Sequence, residues 1–423
     1  MGAKILHLSD IHFNGASESE TDPDAIYRDE LVKKIRASAA EGAFDAIFVT
    51  GDIANWGLKS EYDIARIWLA EIARISGVSD QGVYLVPGNH DVDRSISSRH
   101  ALLKIVQKTV VGQGSAADRE RELKTVMTDE AMGPALFRPL EAYNNFAAEY
   151  QSEVGPKEYG RWVRWLALDY GYWLKIFGLN SVLFSSCRPP GGDDDPRQNL
   201  YVGPFQSTFR TKESEIGVVL IHHPPHWLLD HDEQVHLLKD RVPLQFMGHV
   251  HDRDVDRNSD FMRFGAGAVS PNRHEPAFEP GFNVVHLEVR KDGEVATLVV
   301  SAEVWAWQAS PGRFRRHETK TGDTRWDASF PLPPIPQEME PMTGAERAPP
   351  PAPESGGAHG RDVQRFWALS SSNKRLIAES LGLLNEDEAR LPERYRYANI
   401  FKRAVSDEKL PKLIEMIHMA EGE

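Results

Sequence analysis

The chain has 423 residues, of which 41% are apolar, and a formal net charge of −14. That length predicts two or more domains with apolar residues enough for a sizeable core. The acidic balance excludes passive, charge-driven binding to duplex nucleic acid, which needs a basic face, while leaving room for local positive charge supplied by bound cations.

The N-terminus enters a strand-like pattern at once, without the apolar stretch of a signal peptide. Residues 5–8, 46–49 and 83–86 read as strands. Residues 28–40 ("RDELVKKIRASAA") and 61–75 ("EYDIARIWLAEIARI") have helical spacing between them. That order predicts a largely parallel sheet. From 94 to 216 the pattern changes: 118–128 and 135–149 are helical, and 94–160 reads as an inserted helical cap. Cys187, the single cysteine, excludes an intrachain disulfide framework and any multi-cysteine metal site. Residues 188–197 ("RPPGGDDDPR") form turns throughout, and Asp193, Asp194 and Asp195 read as a soluble loop. Further strands are expected at 175–179, 217–221, 243–247, 282–288 and 296–304. Residues 331–361 hold nine of the 27 prolines and read as an extended linker. Beyond it, 362–423 regains helical spacing around Phe366, Ile377, Leu381, Ile400, Leu413 and Ile417, as a small bundle. No run of about 18 apolar residues occurs anywhere, so no membrane span is expected and the chain reads as cytoplasmic.

Five strand ends carry polar clusters. Asp10-Ile-His12 follows "ILHLS", and Gly51-Asp52 follows "AIFVT". Gly88-Asn89-His90-Asp91 follows "VYLVP". His222-His223 follows "VVLI", and Gly248-His249-Val-His251 follows "LQFM". Each alone is an ordinary turn. Together they are a site, because ligand sites form outside the carboxyl ends of parallel strands. Carboxylate, imidazole and amide oxygen suit Mn, Fe or Zn, and there are donors enough for two divalent metal ions, with manganese the ion expected to serve in vitro. Paired ions clamp the attacking and leaving oxygens of a displacement and lower the pKa of bound water. His223 is ambiguous: neighbours on a strand point to opposite faces, so one of His222 and His223 is expected to enter the site. His226, His231 and His236 are expected to be exposed, and His7 and His286 to be packed within strands.

The series Asp10-x-His12, Gly51-Asp52, Gly88-Asn89-His90-Asp91, His222 and Gly248-His249-x-His251 resembles the calcineurin-like metallophosphoesterase superfamily over about residues 3–300. The resemblance implies an α/β fold: a four-layer β-sandwich flanked by helices, here with the cap insertion and the separate helical bundle. It implies one metal held by Asp10, His12, Asp52 and His251, and a second by Asp52, Asn89, His222 and His249. Asp52 would bridge them together with a hydroxide that attacks phosphorus. His90 would face the substrate, and Asp91 would orient His90.

"ILHLSDIHF", "VPGNHDVD" and "IFGLNS" resemble the bacterial phosphodiesterase branch, which includes enzymes of cyclic nucleotides. The insertion could instead form a groove for a single strand, and repair nucleases share the ligand series. The expected substrate is therefore a nucleotide or nucleic-acid phosphodiester. "RFRRH" at 313–317 is a solvated strand or a phosphate contact. Residues 362–423 resemble adaptor domains of effector enzymes in bacterial conflict systems. They imply a protein partner, with self-association as the bland alternative. A different class of reading is a non-catalytic signalling or scaffold protein, against which the complete ligand set stands.

Overall fold

The computed structural model describes residues 2–17, 19–186, 199–251, 255–270, 280–319, 322–335, 360–369, 371–384, 396–397 and 399–421. Cys187, Asp193, Asp194 and Asp195, and most of the proline-rich stretch, lie outside them. The chain divides into Met1–Val163 with Ala167–Ile335, and Pro336–Glu423 with Arg164–Leu166.

The first unit is built on two mixed sheets flanked by helices, the α/β architecture the resemblance implies. In one sheet β1 (Ala3–Leu8), β2 (Ala46–Val49) and β3 (Val83–Leu85) run parallel. They are linked by helices α1 (Ala25–Ala40) and α2 (Lys59–Ser76), as the β-α-β-α-β order predicts. In the other, β5 (Trp173–Gly178), β6 (Glu215–Ile221) and β7 (Leu244–Met247) run parallel, with β4 (Trp162–Ala167) on one edge. Beyond β7 lie β9 (Met262–Gly265) and then β8 (Val255–Arg257), neither of which the sequence pattern indicated. In the long hairpin of β10 (Gly281–Asp292) and β11 (Val295–Ala309), β10 lies antiparallel to β1 and β11 carries β12 (Gly312–Arg316) and β13 (Trp326–Leu332). Helices α3 to α7 occupy Arg94–Arg99, Ala101–Val111, Ala116–Thr128, Met132–Phe137 and Glu141–Ala147, within the stretch expected to insert.

Strand alternation divides the core. Phe246 of β7 and Phe264 of β9 stack at 4.8 Å, and Phe246 meets His7 of β1 at 5.1 Å and Phe48 of β2 at 5.0 Å. These aromatic contacts join the sheets face to face. The next residue, Met247, points the other way. It packs with Phe177, Val219, Ile221 and Leu238, the last from α8 (His231–Arg241). A fully buried phenylalanine or leucine contributes roughly 1.5–3 kcal/mol, so both faces of the second sheet must be covered.

In the second unit, helices at Gly360–Ala368, Ser371–Ser380, Ile400–Ser406 and Leu410–Glu421 surround Phe366, Ile377, Tyr397, Ile400, Leu413 and Ile417. Among the described residues no helix is long and apolar enough to cross a membrane.

His7 is the polar member of the inter-sheet core. Its Nε2–H donates to Thr50 Oγ1 at 3.0 Å, and Nδ1 accepts from Asn283 Nδ2 at 3.2 Å. Burial pushes its pKa down to about 3. The unfolded chain, with an ordinary value near ~6.5, takes up the proton first as pH falls. Stability present above that value is therefore lost between about 6.5 and 3, at about 1.4 kcal/mol per pH unit. In His7→Gln, the loss of urea stability between about pH 6.5 and 5 is expected to shrink by about 2 kcal/mol.

Candidate metal centre

The parallel pairing that builds the sheets also builds the site. β1, β2 and β3 end side by side, as do β6 and β7 in the facing sheet. Asp10, Asp52, Asn89, His222 and His249 each lie within four residues past one of these ends. The backbone there departs from ordinary conformations. Nine non-glycine described residues have positive φ, and five are Asp10 (53°), His12 (54°), Asp52 (51°), His249 (68°) and His251 (54°). Each such residue costs of order 1–3 kcal/mol, a cost that clusters where function dictates geometry. Two glycines make the crowding possible. A Cβ on Gly88 would lie 2.1 Å from Asp52 Oδ1, and one on Gly248 would lie 2.1 Å from Ser9 Oγ.

Asp10 and Asp52 form the buried centre. Asp10 accepts from the His249 backbone N–H at 3.1 Å and lies 3.2 Å from His251 Nε2 and 3.9 Å from His12 Nε2. Asp52 accepts from the His90 backbone N–H at 2.7 Å and lies 3.2 Å from His222 Nε2. With the surrounding histidines, the side chains here form groups whose donor atoms fall within 4.8 Å of one another. These are Asp10–His12–His251, Asp10–Asp52–His222, His12–Asp52–His90 and His222–His223–His249. Asn89 Oδ1 sits beside the last group, 3.1 Å from His223 Nε2.

Burial opposes charge on both carboxylates, and the neighbouring histidines overcome it. Asp10 is held below the usual carboxylate range chiefly by its bond to His251, and Asp52 well below it by the charge of His222. Burial likewise pushes His222 down, but the Asp52 carboxylate outweighs it and lifts the imidazole to about 9. Two buried anions thus draw a proton onto the ring between them, and a divalent cation would take that proton's place. His222 Nδ1–H donates to the Thr50 carbonyl at 2.7 Å, which leaves Nε2 as the atom able to ligate. His249, pushed down to about 4 by burial and then by His222, is neutral and able to ligate. His12 Nδ1 is buried with no hydrogen-bond partner among the described residues. The donor set fits a pair of borderline divalent cations.

His90 lies in the same cluster, its ring 4.8 Å from that of His12. The expectation that Asp91 aims it is corrected. His90 Nδ1–H donates to the Asn55 carbonyl at 2.9 Å, and Asp91 is engaged elsewhere. Its carboxylate accepts from the backbone N–H groups of Gly88 (2.8 Å), Ala54 (2.9 Å) and Ile53 (3.1 Å), and from Tyr62 Oη (2.8 Å). Asp91 latches the turn after β3 to the loop after β2. Burial and the charge of Asp52 raise it to about 6, and its donors pull the other way. Asn55 left no sequence signal, because its backbone oxygen does the work.

The alternation argument for His222 and His223 is also corrected. β6 ends at Ile221, so the rule no longer applies, and both rings lie at the site, 4.7 Å apart. His226 and His236 are exposed and His231 is half-buried, while His7 is buried and His286 is half-buried. In "RFRRH", Phe314 is buried and Arg316 pairs with Glu303 at 2.8 Å. β12 is an edge strand three places from β1, roughly 14 Å away at ~4.8 Å per strand.

The profile of the calcineurin-like phosphoesterase family matches residues 3–253, a span that holds every clustered residue named above. The chain belongs to that family. Residues 363–419 match the GTPase-associated adaptor domain. An uncharacterized metallophosphoesterase-like protein of Bacillus subtilis, YydB, is 33% identical over 329 residues, 75% of this chain and 63% of that protein. The chain thus spans less than two thirds of that relative's length. Vps29 of Chaetomium thermophilum is 10% identical, with a TM-score of 0.32 over 78% of this chain and 99% of its own. A putative 5'-nucleotidase of Staphylococcus aureus is 11% identical, with a TM-score of 0.32 over 82% of this chain and 56% of its own. Such low scores carry no activity across.

A latch and an aiming group differ in their consequences. Asp91→Asn puts an NH2 group where an N–H or O–H needs an acceptor. It is expected to lower stability in denaturant titration by roughly 2–3 kcal/mol. Unchanged stability with reduced turnover would restore the aiming role.

Proposed function

We propose that the chain is a phosphodiesterase dependent on two divalent metal ions and acting on nucleotide or nucleic-acid diesters. We propose further that residues 363–419 bring it to a GTPase-linked protein partner. The observation that carries the first part is His90, held among the ligand groups with one ring nitrogen tied to Asn55 and the other available. Asp10, His12, Asp52 and His251 would hold one ion, and Asp52, Asn89, His222 and His249 the other. Ions bound there supply Lewis-acid stabilisation of the phosphoryl oxygens and an acidified water.

The residues of the chain do the rest. Asp52, at the junction of the groups, is placed to serve both ions. With Nδ1–H committed to the carbonyl, His90 Nε2 is the nitrogen left to face the leaving oxygen, and as the imidazolium it would give up its Nε2 proton there. Trp56, 58% exposed, directly follows Asn55. Glu61 fixes its loop by accepting from the backbone N–H groups of Trp56 and Leu58, both at 3.0 Å. An indole presented from the same loop that holds His90 through Asn55 suits stacking on a nucleobase. The adaptor match supports an effector recruited by its partner.

Hydrolysis of bis-p-nitrophenyl phosphate with manganese is expected, and Asp52→Asn should abolish it. His90→Asn should retain metal and lose turnover about 10²–10⁴-fold. Inertness with manganese, iron and zinc alike would sink the reading. A panel of cyclic nucleotides, single-stranded DNA, duplex DNA and RNA under one metal condition assigns the substrate. On the nucleoside substrate so found, Trp56→Ala should raise KM about tenfold, the loss of about 1.4 kcal/mol of stacking. An unchanged KM removes the base platform.

A further inference from the structure

His223 lies outside the family's ligand pattern, yet it is buried in the middle of the cluster. Its ring bridges two side chains from different strand ends. Nδ1 lies 2.8 Å from Ser181 Oγ, and Nε2 lies 3.1 Å from Asn89 Oδ1. Ser181 is itself fully buried, three residues past β5, which pairs with β6. The His223 ring also packs 4.7 Å from His222 and 4.3 Å from His249. It therefore touches the three side chains that, with Asp52, would hold the second ion.

Proton accounting gives the contact a direction. A neutral imidazole has one N–H and one lone pair, a serine hydroxyl can give or take, and an amide oxygen can only accept. With the proton on Nε2, both contacts are satisfied: Ser181 Oγ–H donates to Nδ1, and Nε2–H donates to Asn89 Oδ1. With the proton on Nδ1, the bare Nε2 would require Asn89 to turn its NH2 group inward. Cations bind the oxygen of an amide and are repelled by its NH2 group. An oxygen with two lone pairs can accept from His223 and still coordinate.

We propose that Ser181 and His223 are positioning residues that fix which end of the Asn89 amide faces the metal centre. This inference rests on reading Asn89 as a ligand of the second ion. With Ser181 donating to Nδ1, the Nε2–H faces the Asn89 amide oxygen, and that amide orientation readies the site. His223 is a donor to a ligand and not itself a ligand.

The test counts manganese bound per full-length chain by equilibrium titration, alongside the thermal midpoint of the metal-free protein. Wild type should bind two ions. Ser181→Ala and His223→Ala should weaken the second site about 10- to 100-fold and leave the first unchanged. Ser181→Thr, which retains the hydroxyl, and His223→Gln, which retains an N–H donor, should restore it. If His223→Gln loses the second ion as fully as His223→Ala, the ring is a direct ligand and the inference is overturned. Two ions bound equally well by every variant overturn it too. Wild type that fails to bind two ions instead breaks the metal-dependent reading beneath it. Side-chain ¹⁵N shifts of His223 in metal-free wild type give a measurement free of any folding defect. The Nε2–H tautomer is expected there, and Nδ1–H contradicts the proposal.

Discussion

Two carboxylates buried side by side are the constraint that the rest of this structure serves. Leu8 and Val49 are partners in the parallel β1–β2 ladder, so the turns that follow them deliver Asp10 and Asp52 to the same place. Neither charge can sit there alone, because the interior does not solvate an anion. The surroundings answer with backbone N–H groups from His90 and His249, and with imidazoles from His222 and His251. The second sheet enters for the same reason: its strand ends bring most of the nitrogen donors to a site whose oxygen donors come from the first.

Support is layered outward from that centre, and most of it is backbone chemistry. Asp91 spends its carboxylate on three N–H groups and a tyrosine hydroxyl, and in doing so ties two strand-end loops together. Thr50 and Asn55 use their carbonyls to settle the rings of His222 and His90. Thr50 also reaches the inter-sheet core through His7, so the packing of the sheets and the aim of one imidazole share a residue.

The strands β1, β2, β3, β6 and β7 were legible because each is a short apolar run that stops at a turn residue, and the clustered side chains were legible because they follow those stops. What escaped was of three kinds. Backbone acceptors have no residue signature, so nothing about Asn55 as an asparagine marks its carbonyl as the partner of His90, and the family resemblance pointed to Asp91 instead. Rules of regular structure also fail one residue past its end, which is why alternation misplaced His223. Arg316 shows a third limit: a basic run declares its charge, while the partner that neutralises it, Glu303, lies on another strand.

The left-handed backbone at Asp10, His12, Asp52, His249 and His251 has a bearing on ancestry. Side chains can be exchanged by single substitutions, whereas a loop's path is held by many bonds and changes slowly. A distant chain with five residues in that conformation at the same strand ends, but with the acids and imidazoles replaced, would be a lapsed enzyme that still wears the mould of its metals. The backbone angles would then be a fossil record of chemistry that the side chains had given up.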